Sequence, residues 1–240
     1  MILKDKINNK ISPAALMCLF LLIPLLLVIL LSFLSVIVMS NRVLAENVYL
    51  ISTLDLVFPF INIFIYAISF AFIVRALFAR KQVVWTCAVF IAASALRYIL
   101  STLVSVIMYK TVSVTNLLST LWAFLLDIAI MGIILIIAIV IRKKNTLNPV
   151  SDGQKQKLKG SLIPDFSKPI DKCLFIAGVI WAAIRLVSLI SYDITFIITL
   201  GAPSANNVIW MLIYYLFAVL VCPVFYLISS ATAKYIIKND

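Results

Sequence analysis

VTNLLSTLWAFLLDIAIMGIILIIAIVIRKK, residues 114–144, carries one charged side chain, Asp127, before closing on Arg142, Lys143 and Lys144. A hydrocarbon core about 30 Å thick is crossed by about 20 apolar residues of helix, so this run is a transmembrane span with a basic end. Working outward, the same pattern recurs five times and predicts six spans, at 11–39, 50–77, 83–109, 114–141, 172–199 and 206–233. The fold class expected is all-α, a polytopic transmembrane helix bundle.

Composition agrees. Of 240 residues 65% are hydrophobic and 12% charged, with a mean hydropathy of +1.18. A soluble domain has about 45–50% apolar and about 25% charged residues, so both departures point to lipid as the surrounding solvent. The first apolar run is too long for the core of a cleavable signal peptide.

The net charge of +11 is a topology signal. Lys4, Lys6 and Lys10 precede the first span; Arg75, Arg80 and Lys81 close the second. Arg142, Lys143, Lys144, Lys155, Lys157, Lys159, Lys168 and Lys172 follow the fourth, and Lys234 and Lys238 end the sixth. Sixteen of the 20 basic residues thus sit in alternate connections, against Arg42 and Lys110 in the others. The positive-inside rule then places both termini and the loops at 80–82 and 143–172 in the cytoplasm of a cell membrane. The basic face favours anionic lipid headgroups, and nucleic acid is not expected as a partner.

The one long polar stretch contains Pro149, Gly153, Gly160, Pro164 and Pro169 and reads as a cytoplasmic linker. It divides a four-helix region, 1–142, from a two-helix region, 172–240, across a basic linker at 143–171. Short similarities point to three repeated helical hairpins: Leu50–Leu54 resembles Leu117–Leu121, and Ser94–Arg97 resembles Ala182–Arg185. Pro24, Pro59 and Pro223 fall inside spans, where each removes a backbone donor and kinks its helix.

Charges inside spans are rare and are functional candidates by default. Arg97 lies 16 residues after Lys81 and Asp127 lies 15 before Arg142. At 1.5 Å per residue both stand about 22–24 Å from the basic face, on sequential helices, and should pair. Arg185, 13 residues after Lys172, reaches a similar depth with no clear acidic partner; Asp55 or Asp193 could meet it by extending along the helices. Helical spacing lines Ser94, Arg97, Ser101 and Ser105 on span three, and Arg185, Ser188, Tyr192 and Thr195 on span five. Asn116, Thr120 and Asp127 line span four, and Ser52, Asp55, Pro59, Asn62, Tyr66 and Ser69 line span two. These stripes give the bundle a thin polar interior, which close packing of small residues at Ala88/Ala92 and Gly178/Ala182 would also serve.

No histidine is present, Cys18, Cys87, Cys173 and Cys222 lack metal-ligand spacing, and no catalytic motif appears. An enzyme, a cofactor or a metal is therefore not expected. The expectation is a small transporter or channel-like protein for a polar or anionic solute, with Arg97 and Arg185 as the site. The alternative is a non-catalytic subunit or scaffold, joined to a membrane-protein partner or to copies of itself.

Overall fold

The structure is a computed structural model that describes residues 12–40, 48–79, 82–109, 114–147, 164–200 and 205–239. The described residues form six helices: α1 (Pro13–Ser40), α2 (Val48–Ala79), α3 (Val83–Tyr109), α4 (Val114–Leu147), α5 (Pro169–Leu200) and α6 (Ala205–Asn239). All six are long and apolar enough to cross a membrane, and the protein is a six-span, multi-pass helix bundle.

Helix ends follow local chemistry. Ser12 caps α1, its Oγ accepting from the Ala15 amide at 3.2 Å, with Pro13 in the first helical position where no donor is needed. Pro169 opens α5 in the same way, three residues ahead of the expected span. Asp165 stands before it, accepting from the Ser167 amide at 3.1 Å and pairing with Lys168 at 3.1 Å. The α4 helix runs past Ile141 through Arg142–Lys144, because cations suit the negative end of a helix dipole. Pro24 and Pro223 lie inside α1 and α6 as expected. Pro59 and Asp55 belong to α2, but their side chains lie outside the described residues, as do those of Ser52, Ser101, Ser105, Asn116 and Tyr192.

The bundle is built around α2. Its membrane window is 78% buried, against 17–28% for the other five, and among the described residues it touches every other helix. Phe70, Phe72, Ile65, Ile73 and Val74 on α2 are almost fully buried and pack with Met17, Leu21, Leu174 and Phe225. The hairpins are not packed alike: α5 and α6 lie tightly together, while α4 leans only lightly on α3, α2 and α5. Gly178 makes the α5–α6 approach, since a Cβ there would stand 2.9 Å from the Cys222 carbonyl oxygen. Ala182, one turn on, is buried. Ala88 and Ala92 do not act in the same way: both are exposed, on a face of α3 that turns to lipid, where small residues have no close helix to admit.

Candidate functional site

Five helices converge on a cavity of roughly 330 Å³. Asn62, Ile63 and Tyr66 come from α2, Arg97 and Tyr98 from α3, and Ala123, Leu126, Asp127 and Ile130 from α4. Trp181, Ile184, Arg185 and Ser188 come from α5, and Val221 and Phe225 from α6. The polar residues of each helix follow its repeat: Asn62 and Tyr66 are four apart, and Trp181, Arg185 and Ser188 share one face.

The structure brings Arg97 and Asp127 together. Both side chains are buried, and Arg97 Nη2 donates to Asp127 Oδ2 at 2.7 Å. Two tyrosines complete the knot. Tyr98 donates its hydroxyl to the same Oδ2 at 2.6 Å, and Tyr66 donates to it as well. The Tyr66 oxygen in turn accepts from Arg97 Nη1 at 2.7 Å. The guanidinium also lies over the Tyr98 ring, 4.2 Å from its centre. A charged pair out of water needs further hydrogen bonds to hold it, and the two hydroxyls supply them at Asp127 Oδ2 and Arg97 Nη1. One network therefore ties α2, α3 and α4 at one level.

Trp181 extends it to α5. Its indole stacks on Tyr66 with centroids 4.2 Å apart and planes inclined by 15°. The indole N–H is buried and makes no hydrogen bond among the described residues. Ser69 and Ser94 are buried hydroxyls, also without a partner there, one turn from Tyr66 and Arg97 toward the basic ends of α2 and α3.

Arg185 is different in kind. It lies exposed on the cavity wall, with no ion pair or hydrogen bond among the described residues. Asp193, expected as one route to its neutralisation, instead accepts from Tyr215 of α6 at 2.6 Å. The reason is geometric: eight residues separate Arg185 from Asp193, more than two turns along α5, whereas Tyr215 projects directly across the α5–α6 contact. Ser188, beside Arg185, turns its hydroxyl back to the Ile184 carbonyl at 2.9 Å. Thr195, farther along the same stripe, does the same to the Ser191 carbonyl at 2.8 Å.

Tyr98 and Trp181 were not singled out in the sequence reading. Trp181 carries a readable signal, since it precedes Arg185 by four residues on the same face. Tyr98 is adjacent to Arg97 and would be assigned to a different face; only the length of its ring and hydroxyl brings it back to Asp127.

Among the described residues no three His, Cys, Asp or Glu side chains converge as metal ligands. No protein-family model matches the chain, and no curated protein or solved structure matches it either.

Proposed function

We propose that this membrane protein is a small transporter or channel-like protein that binds a polar or anionic solute in the cavity between α2 and α6. The observation that carries the reading is Arg185. A cation with no acidic partner among the described residues, on the wall of a cavity in a membrane bundle, is costly unless an anion or water reaches it. Beside it the Arg97–Asp127 pair supplies polar groups held in place by Tyr66 and Tyr98. The unused hydroxyls of Ser69 and Ser94 extend hydrogen-bonding capacity toward the basic face. Pro223 falls between Val221 and Phe225, so the kink-prone point of α6 borders the cavity and is the element through which access would change. The charge distribution supports cytoplasmic termini in a cell membrane.

Flux through reconstituted vesicles tests the proposal. Nitrate, phosphate, acetate and benzoate should be compared across vesicles holding wild type, Arg185→Gln or no protein. The expected result is flux of at least one anion through wild type only. Wild-type vesicles that pass none of the four would overturn it.

A second reading has its own support. The Arg97–Asp127–Tyr66–Tyr98 network holds together through its own side chains and joins three helices, which is what a non-catalytic subunit or scaffold needs. A stoichiometric protein partner in native mass spectrometry of gently extracted protein, together with absent flux, would establish that reading.

A further inference from the structure

Among the described residues three charged side chains line the cavity: Arg97, Asp127 and Arg185. Arg97 and Asp127 are locked to one another, so their charges cancel locally. Arg185 leaves the described wall with a sum of one positive charge. In a low-dielectric bundle a residual charge of either sign is expensive, so the favoured occupant brings one negative charge and no more.

The rest of the wall defines what carries that charge. Ile63, Leu126, Ile130, Ile184, Val221 and Phe225 are apolar, and Trp181 and Tyr66 present stacked rings. Inorganic anions would leave this surface without contacts. A volume of roughly 330 Å³ stands at the small end of the range for ligand sites. We infer that the cavity takes one small organic monoanion, a carboxylate on an apolar body, with charge selectivity set by the sum of Arg97, Asp127 and Arg185.

This inference rests on the anion-site reading above and deepens it. The carboxylate meets Arg185, whose guanidinium offers paired donors, while the apolar body lies against α4 and α6. A dianion would leave the site one charge negative, and a neutral amide one charge positive. A free acid and a fatty acid drawn from the bilayer share the required chemistry.

Titration calorimetry on the intact protein in lipid nanodiscs tests it, with benzoate, benzamide, terephthalate, nitrate and oleate as probes. Wild type should bind benzoate at least tenfold tighter than benzamide or terephthalate. In Arg185→Gln benzoate should weaken at least tenfold and lose its advantage over benzamide, while Arg185→Lys should retain that advantage. Asp127→Asn raises the sum to two and should move preference toward terephthalate. If that variant does not fold, the Arg185 pair still decides. Equal affinity of wild type for benzoate, benzamide and terephthalate, or an unchanged preference in Arg185→Gln, overturns the charge rule. Binding of nitrate alone overturns the carboxylate but leaves an anion site. No binding by any of the anionic probes removes the anion-site reading as well. Oleate without benzoate keeps the chemistry and assigns its source to the bilayer.

Discussion

At the scale of single residues, Arg97 and Asp127 present the sharpest energetic consequence. Removing one partner strands the other charge among α2, α3 and α4, a loss of about 3–5 kcal/mol for a buried pair. Arg97→Gln and Asp127→Asn should therefore each lower the melting temperature clearly, and the double variant should lose much less than their sum. A thermal double-mutant cycle with strictly additive losses would refute the coupling. This pair was legible in the sequence because distance from the basic ends of the helices acts as a depth gauge. Tyr66, 14 residues before Arg80, falls at the same level as Arg97, Asp127 and Arg185. The gauge gives height and not direction around the helix axis, which is why the place of Tyr98 and the partner of Asp193 were not readable. Trp181 offers its own check. Tyr66 stacks on its ring, so Tyr66→Leu should change the emission of a variant in which Trp181 is the only tryptophan, and Phe64→Leu, at an exposed position, should not.

Among the elements, the α5–α6 pair depends on one missing side chain. Gly178→Ala places a methyl group 2.9 Å from the Cys222 carbonyl oxygen, which is helix backbone and cannot swing aside. Overpacking of this kind costs about 1–3 kcal/mol. Because Trp181 follows Gly178 by less than one turn, the variant should also weaken whatever binds the cavity. Gly132→Ala on α4 is the matched control: nothing stands within 4 Å of its new Cβ, and thermal melting should be unchanged or slightly raised. Equal losses in the two variants would contradict the close approach. The rank of the helices was harder to read than their number. Apolar residues are spread around both α2 and α6, yet only α2 is enclosed. In water an apolar circumference marks a buried helix, but in lipid it marks only a spanning one. Polar side chains such as Asn62, Tyr66 and Ser69 were the available sign that α2 faces inward.

For the whole molecule, the placement of basic residues makes topology testable apart from function. Single cysteines in place of Ser151 and Asn206 should react differently with a membrane-impermeant maleimide in intact cells. Asn206→Cys should label from outside, and Ser151→Cys should label only after permeabilisation. Labelling of Ser151→Cys in intact cells would invert the arrangement. The sequence divides at 143–171, but packing does not respect that division, since α6 lies closely along α2. The helix that holds the bundle together is thus among the first to leave the ribosome, while two of its neighbours, α5 and α6, leave last. Until they arrive, Asn62 and Tyr66 have only part of their final surroundings, and the early helices wait in the bilayer as a half-built ring. Synthesis that stops before α5 should therefore yield an inserted chain that membrane quality-control proteases recognise, and supplying α5–α6 as a separate polypeptide should protect it.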